Sequence, residues 1–225
     1  MTKDTKLRLA TGLFAVFAVL YFLASSFRIF PTEFNWFKAV PLTVLAIFSL
    51  RLLPWQMSVA MFCAAAGDFF GEMKYTDLAG ESDTFFILQM GAFAAGHVFI
   101  LLWLLSLARE RKKRVGLYGL LALIPPVAVV FAGVYWIIPH VSSPLCWGVM
   151  GYMVIIALMW WAALLQKDLL YIAGACFFVL SDFILAWNLF VNNLPASTYL
   201  IMVPYFLAEY LLFIRSAGIT PAGNR

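Results

Sequence analysis

Long apolar runs, separated by short polar or basic stretches, recur along the whole of this 225-residue chain. The runs are continuous. Strands of a membrane barrel would alternate over about ten residues, so these read as helices. The pattern predicts an all-α polytopic membrane protein, a bundle of eight transmembrane helices over residues 9–26, 36–52, 55–70, 84–107, 115–138, 144–165, 169–191 and 198–214. Such runs suit a hydrocarbon layer of about 30 Å. Pro54 and Pro144 stand where helices open, and Pro125, Pro126 and Pro204 fall inside spans, where they are expected to kink them. Trp36, Trp55, Trp136 and Trp147 lie near predicted ends, as interfacial anchors should.

Composition agrees with this picture. Hydrophobic residues make up 64% of the chain and charged residues 12%, against about 25% charged in soluble domains. The whole chain, residues 1–225, reads as a single integral membrane domain without a soluble domain or long linker. The net charge of +4 sits in short loops, including the cluster at residues 109–114, and does not point to nucleic acid. With the N-terminus inside, Lys3, Lys6, Arg8, Arg51, the 109–114 cluster, Lys167 and Arg215 all face the cytoplasm. The outer side keeps Arg28, Lys38 and Lys74 and receives the acidic loop that begins Gly71-Glu72. Both termini are therefore expected to be cytoplasmic. The first span is expected to be a retained helix rather than a cleaved signal. Cys63, Cys146 and Cys176 have no metal-like spacing and read as small packing residues.

Within the apolar runs stand charged groups that cost about 2.5 kcal/mol or more at a bilayer centre and so mark pathways or active sites. Asp68 and Asp182 are the first two, joined by Lys38, His97 and Glu209. From the helical rise, Asp68 lies about 21 Å beyond Pro54 and Asp182 about 20 Å beyond Leu169. Both helices are expected to run outward, which would set the two carboxyl groups at one depth, facing a shared wet pocket. Gln89, Phe93 and His97 recur at helical spacing on the fourth span, and Tyr205 and Glu209 are one turn apart on the last. Each residue also has a structural reading. Lys38 can anchor at the interface, His97 and Glu209 can satisfy packing hydrogen bonds, and the aspartates can bond to Lys38 or Ser181. Cys63-(x)4-Asp68-Phe69 and Cys176-(x)5-Asp182-Phe183 are alike but too short to establish a duplication. No HExxH or paired-His spacing appears, so neither a metal nor another cofactor is expected.

Phe37 to Leu42 (FKAVPL), Ala65 to Phe70 (AAGDFF), Gly91 to Phe99 (GAFAAGHVF) and Gly174 to Asp182 (GACFFVLSD), in this order, resemble the YhhN-type family, the transmembrane lysoplasmalogenases. The chain departs from that family's pattern after Asp68, where it has Phe69, Phe70, Gly71 and Glu72 instead of a Leu-rich stretch. The resemblance implies hydrolysis of the vinyl-ether bond of lysoplasmalogens to a fatty aldehyde and a glycerophospho-headgroup. The implied partners are a lysophospholipid substrate and membrane lipids. The compactness of the chain and the lack of eukaryotic targeting signals lead to the expectation of a bacterial inner membrane. Vinyl-ether cleavage needs a proton donor and an ionised carboxylate, as in glycoside hydrolysis, and Asp68 and Asp182 are the candidates. Lys38 is then a phosphate holder, and His97, Tyr205 and Glu209 support the pair. The competing reading is a proton-coupled transporter or lipid carrier, since intramembrane acids serve those too. A serine lipase is disfavoured because no GxSxG motif occurs.

Overall fold

The computed structural model describes residues 2–27, 37–73, 83–111 and 116–219. Among these every regular element is helical: α1 (Lys3–Phe27), α2 (Ala39–Leu52), α3 (Trp55–Met73), α4 (Thr84–Glu110), α5 (Leu117–Leu121), α6 (Ile124–Trp136), α7 (Leu145–Gln166), α8 (Leu169–Ala186) and α9 (Ser197–Ala217). A short 3-10 turn, Ile138–His140, follows α6, and a π turn, Trp187–Val191, extends α8. Arg28, Trp36, Lys74, most of the acidic loop and residues 112–114 of the basic cluster lie outside the described residues.

Six stretches are long and apolar enough to cross a membrane: α1, α4, Leu117–His140, α7, Leu169–Val191 and α9. The two remaining predicted spans differ for physical reasons. α2 has 14 residues, a rise of about 21 Å, short of the hydrocarbon layer. α3 is long enough at 19 residues but carries Asp68 and Glu72. It also runs three residues past its predicted end, so Glu72, read from the sequence as part of the outer loop, is helical. The predicted kink at Pro125-Pro126 is a full break: α5 ends, and the prolines fall in the first turn of α6, where a missing N–H costs nothing. Pro204 lies inside α9, which continues through it. Trp55, Trp136 and Trp147 are exposed at helix ends, as expected.

The chain divides into two compact units, residues 1–99 with 213–225, and residues 100–212. The first unit is built on the hairpin α2–α3. Leu53 donates its N–H to the Ser49 carbonyl at 2.8 Å, and the Ser58 hydroxyl caps the same carbonyl at 3.0 Å. Leu42, Leu45, Ala46, Met57 and Met61 are fully buried along its seam. α4 packs its upper half on α3 through glycines: Phe93 covers Gly67 and the Gln89 amide covers Gly71, each at a distance that a methyl group would occupy. This bears out the predicted Gln89–Phe93 face of the fourth span.

The second unit is built on the hairpin α7–α8. Lys167 takes a left-handed conformation, which ends α7, and Asp168 caps α8 through the Leu170 N–H at 3.2 Å. α9 lies antiparallel on α8. Leu212 and Ala208 approach Gly174, the Tyr205 ring meets Phe178 edge-on at 5.6 Å, and the Ser181 hydroxyl reaches the Ile201 carbonyl at 2.9 Å. Small residues at this seam let the backbones come close, which is how helices associate in lipid.

Candidate functional site

In the first unit the α2–α3 hairpin sets Lys38 opposite the outer part of α3. Asp68 and Glu72 are one helical turn apart, so their side chains leave the same face. The Lys38 ammonium lies 3.6 Å from Asp68 and 3.7 Å from Glu72. Asp68 is fully buried, and the Lys38 and Glu72 side chains are only 13% and 12% exposed. Both pairs are thus largely removed from water, where an uncompensated charge would be costly. Tyr21 of α1, itself buried, has its phenol within electrostatic reach of Lys38, Glu72 and Asp68. α3 therefore serves two neighbours with adjacent faces: Gly67 and Gly71 receive α4, and Asp68 and Glu72 receive Lys38.

His97 is buried on α4, on the face that carries Phe93. Gly96 beside it approaches Cys63 and the Ala60 carbonyl. By the register of α3 against α4, His97 is level with Cys63, about 7 Å along the helix from Asp68.

In the second unit the hydroxyl of Tyr152 on α7 donates to Oδ2 of Asp182 on α8, at 2.5 Å. Asp182 is half-buried. Ala175 and Phe178, expected on the same face, are buried. Tyr205 and Glu209 of α9 are buried one turn apart. Tyr205 packs on Phe178, a turn before Asp182. By the register of α8 and α9, Glu209 is level with Gly174, about 12 Å along from Asp182. The Tyr152 phenol is within electrostatic reach of both Asp182 and Glu209.

Thus the structure joins Lys38 to Asp68, and places Tyr205 and Glu209 in the unit that holds Asp182. Asp68 with Lys38 and His97 belongs to one unit, and Asp182 with Tyr205 and Glu209 to the other. Three polar neighbours escaped the sequence reading: Glu72, Tyr152 and Tyr21. Glu72 had a usable signal, its spacing of four from Asp68. Tyr152 had one in the length of the α7–α8 hairpin. Tyr21 had none, because its approach to Lys38 depends on how α1 packs. Among the described residues no group of three or more His, Cys, Asp or Glu side chains could hold a metal ion.

Comparison with known proteins places this geometry in a family. The chain is similar to the lysoplasmalogenase TMEM86B of Sus scrofa, with 29% identity over 157 residues, covering 70% of this chain and 61% of that protein. It therefore spans less than two thirds of that relative's length. It is also similar to the lysoplasmalogenase TMEM86B of Mus musculus, with 26% identity over 187 residues, covering 79% of this chain and 72% of that protein. No solved structure matches the chain. The YhhN family model matches residues 34–216, which include every candidate residue from Lys38 to Glu209, and this chain belongs to the YhhN family.

Proposed function

We propose that this protein is a membrane hydrolase that cleaves the vinyl-ether bond of lysoplasmalogens, with Asp68 and Asp182 as its reacting carboxyl groups. The reading is supported by membership of the YhhN family together with relatives named lysoplasmalogenase. The observation that carries the residue assignment is the burial of Asp68 in an ion pair with Lys38, a costly arrangement that function can justify.

The chemistry divides between the two acids. A carboxylate already paired with an ammonium is a poor proton donor, so Asp68 is the ionised partner. Asp182, held by the neutral Tyr152 hydroxyl, is the donor. Its proton adds to the outer alkene carbon and leaves an oxocarbenium ion at the carbon that bears oxygen. Asp68 stabilises that cation and accepts a proton from the water that attacks it, giving a hemiacetal. The hemiacetal collapses as its carbon–oxygen bond to the glycerol breaks and its hydroxyl proton passes to the departing glycerol oxygen. Aldehyde and glycerophospho-alcohol leave, and the proton taken from water restores Asp182. Tyr152 fixes one oxygen of Asp182. His97, in the unit of Asp68, and Tyr205 and Glu209, in the unit of Asp182, take supporting roles in this reading.

We further propose that the α2–α3 hairpin completes eight spans, with α5 and α6 counted as one, and that both termini are cytoplasmic. The basic residues Lys3, Arg8, Arg51, Arg109, Lys167 and Arg215 support this. Six spans or eight leave the termini on one side, so the orientation does not depend on how the hairpin sits. A bacterial inner membrane fits a chain of this form.

The deciding experiment supplies purified protein in detergent with alkenyl, alkyl and acyl lysolipids that differ only in the bond offered. Aldehyde from the alkenyl lipid alone is the expected result. Release without any gradient also separates an enzyme from a transporter. Wild-type aldehyde release by both Asp68→Asn and Asp182→Asn would sink the assignment.

A further inference from the structure

α1 lies outside residues 34–216, the segment that the family model matches, yet it packs on α2 within the first unit. Its buried stripe is Ala10, Phe14, Ala18, Tyr21 and Ala24, spaced three or four apart as one helical face requires. Phe17, beside that stripe, meets Phe37 edge-on with ring centroids 6.0 Å apart. Phe37 immediately precedes Lys38, so this contact sets α1 against the residue that carries the ammonium. Tyr21 follows Phe17 by one turn, about 6 Å farther along α1. It is 3% exposed, and within the stripe it is the member with a polar side-chain group. A buried phenol needs a partner for its O–H. Lys38, Glu72 and Asp68 are all within its electrostatic reach, and the Ser25 hydroxyl, one turn farther along α1, is in reach as well.

We propose that Tyr21 is a positioning residue for Asp68, supplied by α1 from outside the family-matched segment. This rests on the reading above, in which Asp68 is the ionised carboxylate of the reaction. The Lys38 ammonium, 3.6 Å from Asp68, rides on a flexible four-carbon stem. A phenol accepts from an ammonium and donates to a carboxylate, so its hydroxyl suits either member of the pair. Tyr21 braces the pair from the α1 side and so fixes where the Asp68 carboxylate stands. It touches no substrate in this reading. Its loss displaces a group that acts in the transition state, and a small displacement there is costly, so the effect falls on kcat rather than KM.

Two measurements on the full-length protein test this. In the first, Tyr21→Phe, which removes only the hydroxyl, is compared with Phe14→Leu, which disturbs the same buried stripe two turns away. Aldehyde release from an alkenyl lysolipid is the readout. We expect kcat to fall about tenfold in Tyr21→Phe, the lower end of what a hydrogen bond to a charged group is worth, with KM within about twofold. Phe14→Leu should lower the melting temperature and leave kcat unchanged. Unchanged kcat in Tyr21→Phe, a rise confined to KM, or an equal loss of kcat in Phe14→Leu each overturns the proposal. In the second, the melting-temperature shift caused by Tyr21→Phe is measured in wild-type, Lys38→Met and Glu72→Gln backgrounds. Groups in contact are not additive, so the shift should change when either charged partner is removed. Equal shifts in all three backgrounds overturn the contact whatever the activity. The function itself fails separately, by absence of aldehyde from wild type or by full activity in Asp68→Asn.

Discussion

Two helical hairpins in this chain hold an aspartate by the same rule and give it different company. In α2–α3 the turn is Leu53-Pro54, and in α7–α8 it is Lys167-Asp168. Thirty residues separate Lys38 from Asp68, and thirty separate Tyr152 from Asp182. In each hairpin the turn falls midway between the two partners, so antiparallel packing brings partner and aspartate to the same level. What differs is the partner: an ammonium meets Asp68, and a neutral hydroxyl meets Asp182. On the reading proposed above, the first hairpin stabilises a charge, whereas the partner seen on Asp182 in the second is a neutral hydroxyl. A reaction that needs a proton donor and an ionised carboxylate can draw both from one geometry by changing a single residue opposite.

The largest effect that could break this comparison is on activity. Asp68→Asn and Asp182→Asn should each lower aldehyde release by about a hundredfold or more, the usual weight of a general acid or base. Full activity in Asp182→Asn alone would make the second hairpin structural and the likeness only one of packing. Stability is the next discriminator. Lys38→Met removes the ammonium beside Asp68 and Glu72 and should cost about 3 kcal/mol, measured by denaturant unfolding in a fixed detergent. Tyr152→Phe removes one hydrogen bond and should cost about 1–2 kcal/mol, with activity reduced severalfold. The reverse order would mean that charge compensation is not what distinguishes the two hairpins.

Packing beside each aspartate gives a finer test. A Cβ on Gly174 would meet the Leu212 side chain at 3.0 Å and the Ala208 carbonyl at 3.3 Å, while the nearest atoms to one on Gly67 belong to the Phe93 ring, at 2.9 Å. A ring can turn and a helix backbone cannot, so Gly174→Ala should cost more than Gly67→Ala, both within about 1–3 kcal/mol. The smallest effect is expected at Leu180, on α8 close to Asp182 but 48% exposed. Leu180→Ala should change stability by no more than about 0.5 kcal/mol and leave aldehyde release intact.

Much of this was legible beforehand. The starts of α3, α4 and α8 agree with the apolar pattern, because in lipid a continuous apolar run has few alternatives to a helix. Lys38 and Asp68 stood out singly, since any charge in such a run is expensive. Tyr152 did not, because a phenol is at home in an apolar helix and carries no such signal, although the hairpin count would have placed it opposite Asp182. Glu72 was assigned to the loop because polar residues ordinarily end a span. The helix continues through it because Lys38 supplies the charge that lets a second acid remain buried.

The order of residues determined by itself that this chain is helical and membrane-bound, where most of its helices begin, and which charged groups are buried against their nature. These are consequences of desolvation, which acts on each residue almost independently of its neighbours. Only the tertiary structure decided which groups meet: that Lys38 divides itself between Asp68 and Glu72, and that Asp182 is held by Tyr152. Ion pairing and hydrogen bonding fall off within a few ångströms, so they depend on side chains thirty or more residues apart along the chain, which packing alone brings together.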